Sequence, residues 1–283
     1  MLNNWVLCVV LYLVLSTAFT QFYKVATKTL KSAGALTIVL QLTASLVALM
    51  LCPLFEFKFP TDIRIYIMLG ISIIFYSISD RLNTTVRSGI EASTFSILKQ
   101  ISTTFMIFAG LIFLKEQFVL TKFIGAMIII FSNILIFFKK GKVKFNRYIL
   151  LGILSNLSFT VALFLDVNIS DNFNLPFYVI MTLAIPSLIV MIFERIKISD
   201  IKNEIVNGNK KAILATAICW SLSIIIQLRA YQLESVSIVA PLCALTVLLN
   251  VIVGYIFLKE RDSLFKKIIA AILIIISVIL IKV

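Results

Sequence analysis

Two stretches decide how this chain reads: Gly110-Leu-Ile-Phe-Leu-Lys-Glu116 and Gly254-Tyr-Ile-Phe-Leu-Lys-Glu260. They share the string Ile-Phe-Leu-Lys-Glu, at Ile112–Glu116 and again at Ile256–Glu260, an offset of 144 (256 against 112). Extended backward, the register pairs Ser93 with Ser237; extended forward, it pairs two nearly uniform apolar runs. Each copy lies at a corner between two apolar segments. An internal repeat at half the chain length implies two related halves, residues 1–140 and 141–283.

Working outward from the corners, charges and turn residues divide the chain into ten apolar segments. They cover residues 5–23, 33–54, 63–80, 92–114, 118–138, 148–166, 176–193, 211–230, 235–258 and 264–281. A hydrocarbon core about 30 Å thick needs about 20 apolar residues per helix. Of 283 residues, 61% are hydrophobic and 14% charged, with mean hydropathy +1.08. A soluble domain carries roughly a quarter charged residues. Backbone groups in lipid have no water to bond, so each span is read as a helix. The longest connection, Glu194 to Lys211, is charged and has room for a short surface helix. Five segments per half is an odd number, which turns the second half upside down. The expected fold is therefore all-α and integral to the membrane, with ten transmembrane helices as two inverted five-helix repeats around a central cavity.

The two hairpins Ser93–Lys139 and Ser237–Lys282 resemble the paired EamA modules of the drug/metabolite transporter superfamily. The second half carries Pro241, Leu258-Lys259-Glu260 and Ala270-Ala271. The first keeps Leu114-Lys115-Glu116 and Gly125-Ala126, with Ile97 where the proline aligns. The resemblance implies ten helices, a central cavity and transport of a small metabolite.

A helix facing a hydrated cavity should carry a polar stripe at helical spacing. The fourth segment has Ser93, Ser96, Gln100, Thr103 and Thr104, with Lys99 at the margin. The third has Ser72, Tyr76, Ser79 and Asn83; the eighth has Thr216, Trp220, Ser223 and Gln227. Tyr12 and Ser16 mark the first, Asn156 the sixth, and Thr246 and Asn250 the ninth. The fifth and tenth are nearly free of polar residues and read as scaffold. The candidate substrate-binding residues are thus Lys99, Gln100, Thr103, Ser96, Tyr12, Tyr76, Asn156, Trp220, Gln227 and Asn250. Pro241 removes a backbone hydrogen bond and is the candidate hinge. Small polar residues also glue membrane helices together, and that alternative stands beside each position.

Lys99 lies eight residues into its segment. A lysine at mid-helix costs on the order of 3 kcal/mol on insertion scales. An anion in a wet cavity, an acidic partner (Asp80, Glu91 or Asp166) or snorkelling would each offset that cost.

Net charge is +13 and there is no histidine. The basic residues cluster in short loops, which suits topology signals and anionic headgroups rather than nucleic acid. Most of them lie in odd-numbered connections, as in the run Lys139, Lys140, Lys142, Lys144 and Arg147. The charge rule therefore puts both termini outside, whereas the resemblance implies termini in the cytoplasm. The run from Trp5 lacks a basic leader and reads as a retained helix. Cys8, Cys52, Cys219 and Cys243 show no metal spacing and read as core residues. Without histidine or a nucleophile motif, no enzyme, metal or cofactor is expected, and no phosphate-binding loop is present.

The expected function is secondary-active transport of a small metabolite (an amino acid, organic anion or related compound) by alternating access in a bacterial plasma membrane. Proton or ion coupling and oligomeric state stay open. The alternative is a flippase-type protein for a lipid or lipid-linked substrate.

Overall fold

The computed structural model describes residues 4–102, 104–105, 120–139, 142–143, 146–234, 239 and 242–282. They form eleven α-helices: α1 (Trp5–Thr27), α2 (Ala33–Leu51), α3 (Ile63–Gly89), α4 (Ala92–Lys99), α5 (Leu120–Phe137), α6 (Arg147–Ile169), α7 (Leu175–Phe193), α8 (Ile198–Asn207), α9 (Lys210–Leu233), α10 (Thr246–Phe257) and α11 (Leu264–Lys282). A two-residue antiparallel pairing joins Phe138–Lys139 to Lys142–Val143.

Six of these helices are long and apolar enough to cross a membrane: α1, α2, α3, α6, α7 and α9. Each opens on a short polar side chain that accepts a backbone N–H of the first turn. The caps are Asn4, Ser32, Asp62, Asn146, Asn174 and Asn209. Such caps satisfy donors that hydrocarbon would leave orphaned. The outward faces carry exposed Leu46, Met50, Ile67, Leu154 and Ile192. Only a lipid solvent tolerates so continuous an apolar belt.

Packing follows a regular plan. α1 packs mainly on α9 and α3 on α6; α2 packs on α7, α4 on α10 and α5 on α11. Exchanging the helices of residues 1–140 for their counterparts in 141–283 leaves this list unchanged. Lengths agree as well: α1 and α6 have 23 residues each, and α2 and α7 have 19 each. Thr27 Oγ1 and Lys24 Nζ, near the end of α1, donate to the Arg87 carbonyl, and a Cβ on Gly89 would run into Tyr148 in the first turn of α6. The end of α1 and the start of α6 thus lie on one face, so the two helices run in opposite senses.

Three expectations change. α3 continues to Gly89, nine residues beyond the expected end at 80, which takes Arg87 out of a loop and into a buried helix. Lys267, one of the basic residues counted toward the odd-numbered connections although it falls in the segment 264–281, is buried and pairs with Glu91. The fourth and ninth segments are each interrupted: a turn follows Lys99 at Gln100, and another occupies Ala244 and Leu245 before α10. Gln100 and Ala244 are separated by the repeat offset of 144. The surface helix expected between Glu194 and Lys211 is α8, and its buried Glu204 accepts the backbone N–H groups of Lys31 and Ser32. Leu114-Lys115-Glu116, Thr103 and Pro241 lie outside the described residues.

Candidate functional site

The corner that opened the sequence reading has a structural task. Gly254 O accepts from the Leu258 and Glu260 N–H groups (both 3.1 Å), and Lys259 sits in the left-handed region at φ 57°. This ends α10 and turns the Glu260 carboxylate back toward the other half. There it accepts from Ala92 N (2.7 Å), Ser93 N (3.1 Å) and the Ser93 hydroxyl, capping α4. Glu91 makes no cap of its own and instead pairs with Lys267 on α11. A Cβ on residue 254 would sit 2.8 Å from Glu260 Oε2, so the carboxylate reaches α4 past a glycine.

α4, held at its start, delivers Lys99 to its last turn. Three adjoining chambers meet there. The largest, about 140 Å³, lies between α1, α4, α6, α9 and α10 and is bordered by Tyr12, Ser96, Lys99, Gln100, Gln227 and Asn250. A second, about 60 Å³, adds Tyr76, Asp80, Asp166 and Trp220. A third, about 50 Å³, is bordered by Asp80, Asn83, Arg87, Asn156 and Trp220. Lys99 and Phe159 border all three. Every candidate residue that lies among the described ones borders at least one chamber.

Bordering a cavity does not leave a side chain available. Asn250 is engaged by Gln21, whose amide donates to its Oδ1 (2.9 Å), and itself donates to the Thr246 carbonyl (2.9 Å). Asn156 donates to the carbonyls of Gly152 (2.7 Å) and Leu98 (3.4 Å), tying α6 to α4. Tyr76 donates to Asp166 (2.5 Å), and Gln227 donates to the Tyr231 hydroxyl (3.2 Å). Asn250 and Asn156 thus tie helices together while bordering the chambers.

Lys99 differs. Its ammonium lies 4.9 Å from the Phe159 ring and makes no ion pair among the described residues. None of the acids named as a partner forms an ion pair with it, although Asp80 borders two of the same chambers. Glu91 takes Lys267, and Asp80 accepts from Gln41 (2.9 Å). Asp166, 1% exposed, accepts from Ser72 (2.8 Å), Tyr76 (2.5 Å) and Tyr178 (2.5 Å). Three hydroxyl donors satisfy a buried carboxylate without a cation.

Arg87 was missed by the sequence reading. It is 3% exposed, with its guanidinium 3.8 Å from the Phe95 ring, 4.7 Å from Tyr23 and 5.0 Å from Phe19. Nε and Nη1 have no hydrogen-bond partner among the described residues. Cation–π contacts contribute roughly 0.5–2 kcal/mol each. Burying an ion costs several kcal/mol, so the rings offset only part. The available signal was helical phase: Asn83 and Arg87 are four residues apart and extend the Ser72-Tyr76-Ser79-Asn83 stripe by one turn. The helix boundary placed at 80 hid it.

Apolar spans around a polar chamber define the class: this is a multi-pass, all-helical membrane protein. The family model of EamA-like transporters matches residues 146–283, so the second half of the chain belongs to that family. That match supports a membrane transporter of the drug/metabolite type, as the resemblance implied. No curated protein matches the chain significantly.

Proposed function

We propose that the chain is a secondary-active transporter of a small soluble metabolite, working by alternating access across ten helices in two inverted halves. The carrying observation is that three chambers converge on Lys99, a cation without an ion-pair partner among the described residues. The packing plan, unchanged when the halves are exchanged, supports the repeat. So do the interruptions at Gln100 and Ala244, since broken helices at a repeat interface are where transporters bind substrate. In this reading Lys99 meets an anionic group of the substrate. Ser96, Gln100, Tyr12, Tyr76, Trp220 and Gln227 shape the pocket, while Asn156 and Asn250 hold its walls. The odd connections share one face, where Arg81 pairs with Glu194 and α8 is tied to Lys31 and Ser32. By the positive-inside rule that face is cytoplasmic and both termini are outside. Compartment-sensitive reporters on both termini test this, and an inside signal from both refutes it.

The functional test is thermal stability of purified protein and Lys99→Met against amino acids, organic anions, phosphorylated metabolites and quaternary amines. A ligand at 100 times its Kd stabilises by about 2.7 kcal/mol. Anions that stabilise the wild type and not the variant are the expected result. Silence across the whole panel would overturn the soluble-metabolite reading and turn attention to lipids.

A further inference from the structure

We infer that Arg87 anchors the anionic end of the substrate, and that this end is a carboxylate. The inference rests on the transport reading and names the substrate chemistry of the same cavity.

The guanidinium is 3% exposed, borders the 50 Å³ chamber that Lys99 borders too, and makes no ion pair among the described residues. Two of its nitrogens lack a hydrogen-bond partner among the described residues, and its faces are taken by Phe95, Tyr23 and Phe19. The rings fix the plane of the fork without supplying a counter-charge. A planar fork held in this way suits a planar acceptor with two oxygens.

Charge balance narrows the class. Two cations, Arg87 and Lys99, border the chamber with one carboxylate, Asp80, which interacts electrostatically with both. The cations outnumber the acids that border this chamber among the described residues, which favours an anion. A phosphate ester carries roughly −1.5 to −2 at neutral pH, and beside Asp80 it would bring like charges together. Asp166, satisfied by three hydroxyls, asks for no counter-ion. A small chamber walled by Trp220 and Phe159 admits a head group and directs the rest of the molecule toward the 140 Å³ space beyond Lys99.

The test is thermal stability of the purified full chain with small monocarboxylates, their primary amides, inorganic phosphate and quaternary amines. At least one carboxylate should stabilise the wild type while its amide does not. Arg87→Gln should raise that carboxylate's Kd by about 30-fold or more, and Arg87→Lys, which keeps the charge but not the fork, by about tenfold. If Arg87→Gln fails to fold, Arg87→Lys alone decides. Unchanged carboxylate affinity in the folded variants overturns the assignment, as does equal binding of carboxylate and amide, or a preference for phosphate. Stabilisation by amines alone overturns the Arg87 assignment and leaves the transport cavity standing. No response to any solute overturns both.

Discussion

The two halves present the same geometry with different chemistry. Ser72, Tyr76, Ser79 and Asn83 on α3 precede Thr216, Trp220, Ser223 and Gln227 on α9 by 144 residues each. The stripes agree in kind: hydroxyl, aromatic, hydroxyl, amide. Lys99, Gln100 and Ser102 bear the same relation to Cys243, Ala244 and Thr246, and all six border the 140 Å³ chamber. The contrast lies in the charges. Where the first half has Asp80, Arg87 and Lys99, the second has Ile224, Tyr231 and Cys243. A shared scaffold shapes the cavity from both sides; among the described residues the cations that border it, Arg87 and Lys99, come from one side, and Asp166 is the acid from the other.

Several substitutions would break or sharpen that contrast. The largest effect belongs to the pair Lys99 and Cys243. Lys99→Met should reduce uptake into proteoliposomes about 100-fold, the order expected when a buried charge–charge contact is lost. Cys243→Ala, at the matching position, should stay within about threefold. Equal losses would mean that the charge asymmetry has no bearing on binding.

Next comes the cap that crosses between halves. Glu260→Ala removes the acceptor for two backbone N–H groups and the Ser93 hydroxyl. It should destabilise the protein by about 2 kcal/mol, and Glu260→Gln by about half as much. Denaturation in detergent micelles reads the difference, and a silent Glu260→Ala would remove this contact from the forces joining the halves.

Glycines test the packing plan with smaller effects. A Cβ on Gly152 of α6 would collide with Leu98 of α4, so Gly152→Ala should cost about 1–2 kcal/mol. Gly70 on α3 faces open space, so Gly70→Ala should be neutral or stabilise by about 0.5–1 kcal/mol. Equal melting temperatures for the two variants would contradict the described contact between α4 and α6.

The smallest expected effect concerns Asp166. Tyr178→Phe removes one of its three hydroxyl donors and should cost about 1 kcal/mol in thermal unfolding, because two donors remain. A loss several times larger would show that Asp166 depends on that one hydroxyl.

The legible parts were those written in local pattern. Apolar runs placed five of the six described spans within a few residues of their ends, α3 running nine residues further, because segment length against bilayer thickness is a one-dimensional quantity. The polar stripes on α3, α4 and α9 marked the cavity walls because period 3.6 puts them on one face. Asn250 and Asn156 show what pattern does not resolve. Both carry the signature of a cavity residue, yet their amides bond Thr246 and Gly152 on their own helices, with further contacts across to Gln21 and Leu98. Arg87 failed in the opposite direction: a charge near the end of an apolar run looks like a loop residue until the helix is seen to continue around it.

What the sequence determined alone is the solvent: an apolar chain punctuated by charge must fold in lipid as helices, and the string recurring at 144 residues is the ground for the proposed two halves. Only the tertiary structure decided which charges are paired. Glu260 reaches Ser93 across 167 residues, and Glu91 takes Lys267 across 176. Those pairings leave Lys99 and Arg87 facing the cavity without an ion-pair partner among the described residues. Coulomb energy depends on distance in space and on burial, and neither follows from separation along the chain.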